Sequence, residues 1–142
     1  MMNLGMAYQS GEGGLAKDDK KAVELFQKAA KLGNTSGMFW LGVAYQSGQW
    51  GLEKDDRKAV ELFQKAAELG SISGMMNLGV AYQFGQGGLT KDGRKAVELY
   101  QKAADLGDSA GMIKLAECYE KGIGGLQINK TKAAELRGHA EK

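Results

Sequence analysis

A single step of 37 residues governs this chain. It relates MMNLG at Met1, MFWLG at Met38, MMNLG at Met75 and MIKLA at Met112. It also relates KAVELFQKAA from Lys21, KAVELFQKAA from Lys58, KAVELYQKAA from Lys95 and the eroded KAAELRGHAE from Lys132. A period of this size means that one small supersecondary unit recurs, and that each unit needs its neighbours to cover its apolar face. The expected repeats are 1–37, 38–74, 75–111 and 112–142, which fill a single solenoid domain, 1–142, without a linker.

Each repeat reads as two helices. In the second repeat the first helix, Gly37 to Ser47, carries Met38, Leu41 and Tyr45 at three-and-four spacing, an apolar stripe of helical period. The second helix, Asp56 to Leu69, places Ala59, Leu62, Phe63, Ala66 and Leu69 on one face and Arg57, Glu61 and Lys65 on the other. Cap residues mark the ends. Asn34, Ser71 and Asp108 precede first helices, and Asp18, Asp55, Asp92 and Asn129 precede second helices, where a side-chain oxygen can accept orphan amide hydrogens for about 1 kcal/mol each. Most of the 22 glycines, in a chain with no proline, fall into fixed columns such as Gly11, Gly48, Gly85 and Gly122, so they punctuate the helices. Another column, Gly5, Gly42, Gly79 and Ala116, lies within the first helix and admits only the two smallest side chains. A mid-helix glycine costs roughly 1 kcal/mol against alanine, so close helix approach is its expected compensation. The expected architecture is all-α: four stacked helix pairs, with Leu41, Tyr45, Leu62, Phe63, Leu78, Tyr82, Leu99 and Tyr100 in the core.

The same residues narrow the chemistry. Lysine plus arginine at 19 against aspartate plus glutamate at 17 leaves +2, too balanced for a surface built around nucleic acid. One cysteine rules out an internal disulfide framework, and one histidine rules out a metal site of several imidazoles. No apolar run approaches the ~20 residues that span a bilayer, so membrane insertion is not expected. The GEGG, GQGG and GIGG loops lack the Gly-Lys-Ser/Thr ending of a phosphate loop and recur as inter-helix turns. The pairs Asp18 with Asp19 and Asp55 with Asp56 read as helix caps rather than a calcium loop. No nucleophile, base and orienting group come together, and no cofactor or metal is called for. His139, in the last turn beside Arg137 and Glu141, reads as an exposed helix end. Residues 1 to 30 lack the basic, apolar and small-residue blocks of a signal peptide, and the expectation for compartment stays open between the cytoplasm and a trimmed exported fragment.

The run LGVAYQSGQWGLEKDDRKAVELFQKAAELG, Leu41 to Gly70, combines LGxxY, a glycine loop, Lys-Asp and KAxELxxKAAxxG. This resembles the Sel-1-like repeat, a relative of the tetratricopeptide repeat, and the resemblance covers essentially the whole chain. The additional glycine at Gly14, Gly51, Gly88 and Gly125 makes the loop one residue longer than is usual in that family. The resemblance implies a right-handed superhelix with first helices on the concave side and second helices on the convex, serving as a scaffold for protein complexes. Some cysteine-rich bacterial relatives are associated with β-lactam binding. Here the cysteine columns are absent, and Cys118 stands where Ala7, Ala44 and Ala81 stand, as a small buried residue.

Function is sought where equivalent positions disagree. One stripe of the first helix reads Asn3, Met6, Ser10, then Trp40, Val43, Ser47, then Asn77, Val80, Phe84, then Lys114, Glu117, Lys121. Trp40, Val43, Asn77, Val80 and Phe84 are the expected centre of a wall that binds a protein or peptide partner, with Lys114 and Lys121 adding charge toward its C-terminal end. The other reading of Trp40 and Phe84 is packing on an adjacent helix. Trp50, in a column of Gly13, Gly87 and Gly124, either covers the rim of the groove or fills a gap in the stacking. The fourth repeat replaces the ring column by Arg137, as a polar capping unit should. Met1, Met2, Leu4 and Met6 open the chain on an uncovered face, which fits a trimmed stretch of a longer solenoid or self-association through this end. The function class is a non-catalytic adaptor, against a hydrolase-like activity of the kind attached to relatives or an engineered or duplicated scaffold with no ligand. Far-ultraviolet circular dichroism is expected to show helix with no strand component.

Overall fold

The structure is a computed structural model, and it describes residues 19–141. The expectations for Gly5, Asn3, Met6, Ser10, Gly11 and Asp18, and for the apolar residues that open the chain, lie outside the described residues. The chain divides into two compact units, Met1–Ser71 and Ile72–Lys142. The first contains α1 (Asp19–Lys31), α2 (Thr35–Ser47) and α3 (Asp56–Glu68). The second contains α4 (Ile72–Phe84), α5 (Gly93–Asp105), α6 (Ser109–Lys121), a 3-10 turn (Ile123–Gly125) and α7 (Lys130–Ala140). Among the described residues there is no strand.

The helix ends follow the cap chemistry. The Gly37 and Gly111 amides donate to the side chains of Asn34 and Asp108, each at 2.8 Å. The Lys58, Lys95 and Lys132 amides donate to Asp55, Asp92 and Asn129 at 3.1, 3.1 and 2.9 Å. Gly48 and Gly122 close α2 and α6 in the left-handed conformation, at φ 65° and 69°. Each loop is then tied back to its first helix. The Asp55, Asp92 and Asn129 amides donate to the carbonyls of Tyr45, Tyr82 and Tyr119 at 2.8, 2.8 and 3.0 Å.

In the α2–α3 and α4–α5 pairs, an aromatic ring of the second helix lies on a glycine of the first. A Cβ placed on Gly42 would come within 2.7 Å of Phe63 Cε1, and one on Gly79 within 2.6 Å of Tyr100 Cε1. The expected close approach is therefore ring against backbone. Within each unit, a second glycine column lets a first helix approach the second helix that precedes it. A Cβ on Gly37 or Gly111 would lie 2.8 Å from the Cβ of Ala29 or Ala103. In the first unit Ala22, Val23, Phe26 and Leu41 form a buried cluster, and in the second Ala96, Tyr100, Ala104, Leu115 and Cys118 form another.

The expected core needs correction at four places. Leu41, Phe63, Leu78 and Tyr100 are buried, but Tyr45, Tyr82, Leu62 and Leu99 are only half-buried. The tyrosines lie beneath the ammonium groups of Lys58 and Lys95, 5.3 and 5.2 Å from the ring centroids, and these cations keep that edge near water. The second helix turns Ala59, Val60, Phe63, Ala66 and Ala67 inward, so its buried face is rotated away from Leu62. Leu69 lies beyond the last helical residue and is 58% exposed, contrary to its place in the expected stripe.

Trp50 packs. Its backbone takes φ 58°, in a column where Gly87 and Gly124 take 62° and 69°. The left-handed region costs a bulky L-residue roughly 1–2 kcal/mol. The indole recovers part of that cost by stacking on Phe26, with ring centroids 4.9 Å apart and planes at 20°.

Two stability measurements follow. Leu78→Ala should cost about 2–5 kcal/mol in chemical unfolding, because a buried leucine leaves a cavity. Gly79→Ala should also destabilise, since overpacking costs about 1–3 kcal/mol and outweighs the helix-propensity gain of about 1 kcal/mol. Combining it with Tyr100→Leu should give a smaller loss than the two single changes added together.

Candidate functional site

The seven expected site residues fall in different settings. Trp40 and Val43 lie half-buried on α2 in the first unit. Trp40 packs against that unit's core and meets Phe39 edge-on, with centroids 5.2 Å apart. Asn77 and Val80 lie half-buried on α4, where Val80 packs against the second unit's core. Lys114, on α6, has its ammonium 3.8 Å from Glu117. Phe84 is different. It ends α4 and is 59% exposed, although every other phenylalanine among the described residues is buried or half-buried.

Phe84 and Lys121 are brought together in the second unit. They line an open cleft of about 800 Å³ between the ends of α4 and α6 and the start of α5. Lys91, Arg94 and Ile123 line it as well. Its floor is a backbone contact. A Cβ on Gly93 would meet the Gly124 nitrogen at 2.8 Å, and one on Gly124 would meet the Gly93 carbonyl oxygen at 2.5 Å, so neither position has room for a side chain. The Arg94 guanidinium lies over Gly125, with its Nε 3.5 Å from where a Cβ would stand. Among the described residues, Lys91, Arg94 and Lys121 make no salt bridge.

A hydrogen bond anchors the wall next to Phe84. Tyr100 Oη donates to Gln83 Oε1 at 2.7 Å, joining α5 to α4. Burial, with smaller contributions from Cys118 and Glu117, raises the Tyr100 pKa, so the phenol keeps its proton for this bond. One repeat later the same two positions are Glu120 and Arg137. Arg137 donates from Nη2 to Glu120 Oε1 at 2.7 Å and from Nε to Oε2 at 3.3 Å. That hydrogen bonding holds the Glu120 carboxyl below its usual range. Cys118 is buried, and burial first, then Glu117, pushes its thiol up to about 11 against the lowering effect of Lys114 and Lys121.

The first-helix stripe read from the sequence does not include Lys91, Arg94 and Ile123, which sit in the loops and at the start of a second helix. Gly93 carried the missed signal, standing where Asp19 and Asp56 stand in the two preceding repeats. Among the described residues no group of three or more His, Cys, Asp or Glu is placed to hold a metal ion. No described helix is long and apolar enough to cross a membrane.

The Sel1 repeat family matches at residues 1–34, 35–71, 72–108 and 109–136. No curated protein sequence matches the chain. Among solved structures, a protective antigen of uropathogenic Escherichia coli strains displaying an SLR fold is 30% identical, with a TM-score of 0.91 over 99% of this chain and 29% of its own. A Sel1 repeat protein from Oxalobacter formigenes is 32% identical, with a TM-score of 0.89 over 98% of this chain and 55% of its own. Cysteine-rich protein B of Helicobacter pylori is 30% identical over 87% of this chain and 86% of its own, with a TM-score of 0.63. The chain therefore spans well under two thirds of the first two relatives. With the repeat matched four times, and with solved structures of the same repeat superposing along nearly all of its length, this chain is an all-α repeat solenoid that belongs to the Sel1 repeat family.

Proposed function

We propose that the chain is a non-catalytic adaptor that holds a protein segment against residues of its first helices. Sel1 repeat proteins are generally protein-interaction scaffolds, which supplies the class. The residues assigned to contact are Trp40 and Val43 on α2, Asn77, Val80 and Phe84 on α4, and Lys114 and Lys121 on α6. The observation that carries the reading is Phe84. An exposed phenylalanine beside an open cleft and an unpaired lysine is the combination expected of an aromatic anchor with a charged rim. In this reading Trp40 serves two purposes, since its half-buried ring also packs on the first core.

A hydrolase-like activity has less support. A thiol nucleophile acts as the thiolate, and Cys118 is buried with its pKa pushed up to about 11. Tyr100 is committed to Gln83, and Glu120 to Arg137.

Two measurements test this reading. A photo-crosslinking amino acid placed at Phe84 should capture a protein of the source cell, whereas the same group at the exposed Lys102 of α5 should not. Equal capture from both positions, or none at Phe84, overturns the assignment. In the folded chain, a maleimide should label Cys118 far more slowly than after denaturation, with the folded-state rate rising as the pH approaches 11. Fast labelling at neutral pH counts against the inert thiol.

A further inference from the structure

The charges around Phe84 carry more than a place for a partner. The cleft lining includes three cations, Lys91, Arg94 and Lys121, and one carboxylate, Asp92, one of whose oxygens is occupied by the Lys95 amide. One repeat earlier in the sequence the same positions are Lys54, Arg57, Phe84 and Asp55, with Asp56 in place of Gly93, and their charges cancel. Two repeats earlier they are Lys17, Lys20, Ser47 and Asp18, with Asp19 in place of Gly93, and again they cancel. Only in the last set has an acid been lost and a cation gained, leaving +2. At the same place the serine of the earlier repeats, Ser10 and Ser47, has become Phe84. Gly93 cannot regain an acid without displacing the Gly124 backbone, so the loss is built into the packing.

We infer that this cleft binds an acidic peptide segment of a partner protein, with carboxylates on Lys91, Arg94 and Lys121 and an apolar side chain between Phe84 and Ile123. The inference rests on the adaptor reading and adds the chemistry of the bound segment. Several features favour a peptide over a small anion. The cations come from three separate elements, the loop before α5, α5 itself and the end of α6, around an opening of about 800 Å³. A compact phosphate has no use for the exposed Phe84 or the half-buried Ile123 beside them. Asp92 stands against a dense polyanion and leaves room for carboxylates spaced along a chain.

The test uses the full chain and a displayed library of random short peptides. Selected peptides should combine aspartate or glutamate with an aromatic or leucine residue. When synthesised, they should bind with an affinity that falls as sodium chloride rises from about 0.05 to 0.3 M. Lys91→Glu with Arg94→Glu, and separately Phe84→Ser, should each weaken binding at least about tenfold, and Lys121→Gln should weaken it less. Lys65→Glu with Lys102→Glu, at exposed lysines outside the cleft, should leave binding unchanged. Melting curves of all variants should match the parent, since every altered side chain is exposed. Neutral peptides that still depend on Phe84 would overturn the acidic specificity and leave the adaptor reading standing. Enrichment of no peptide would count against both. Equal weakening by the Lys65 and Lys102 changes, or displacement of the peptide by inorganic phosphate at matched ionic strength, would also overturn the inference.

Discussion

The ring that lies on a glycine is the contact on which the α2–α3 and α4–α5 helix pairs depend. With Gly42 beneath Phe63 and Gly79 beneath Tyr100, the first helix offers bare backbone where any other residue would hold the ring away. That contact brings the helices close enough for the alanines around it, Ala44 with Ala59 and Ala81 with Ala96, to be completely or almost completely buried. The glycine's cost in helix propensity is thus offset by packing that a larger residue would prevent. The last repeat lacks a ring, with Arg137 in its place, and there the glycine has become Ala116. The partner on the first helix changes in step. Gln83 accepts from the Tyr100 hydroxyl, and Glu120 accepts two hydrogen bonds from Arg137. Three positions therefore vary together, and the helix pair is held first by shape and then, where the ring is missing, by charge.

Much of this fold was legible because its signals are local. The period, the caps at Asn34, Asp55, Asp92, Asp108 and Asn129, and the terminating glycines each depend on neighbours a few residues away, which a sequence displays directly. The rotation of the second helix was less legible. Leu62 and Val60 both fit an apolar stripe, and only the neighbouring helix selects Val60 for burial. The half-buried tyrosines are not legible because hydrophobicity says nothing of a lysine on the next helix lying on the ring. Trp50 was open on sequence alone, because its role depends on Phe26, a residue of a different helix.

The candidate site was legible by half. Comparing equivalent first-helix positions singled out Phe84 and Lys121, which the second unit brings to one cleft. The same comparison named Trp40 and Val80, whose side chains also pack on their cores. A residue that breaks a repeat pattern can be filling a local gap as readily as meeting a partner, and exposure separates the two. Lys91 and Arg94 do not break their columns at all, since Lys54 and Arg57 stand there one repeat earlier. What changed is around them, the loss of an acid at Gly93 and the arrival of Lys121, and a column read one residue at a time does not register a change in neighbours.

The placement of Trp40 and Trp50 has a spectroscopic consequence. They are the two tryptophans of the chain, and both belong to the first unit, half-buried against the same cluster. The second unit holds no indole, and its aromatic residues are tyrosines and a single phenylalanine. Tryptophan emission thus reports on one half of the molecule, whereas backbone ellipticity sums over both. In a repeat protein, where stability is a sum of local terms and neighbour terms, the separation between those two signals during unfolding measures how strongly one half is coupled to the other. The residue that departs from the glycine column in the loop after α2 thereby labels its own half of the chain without any added probe.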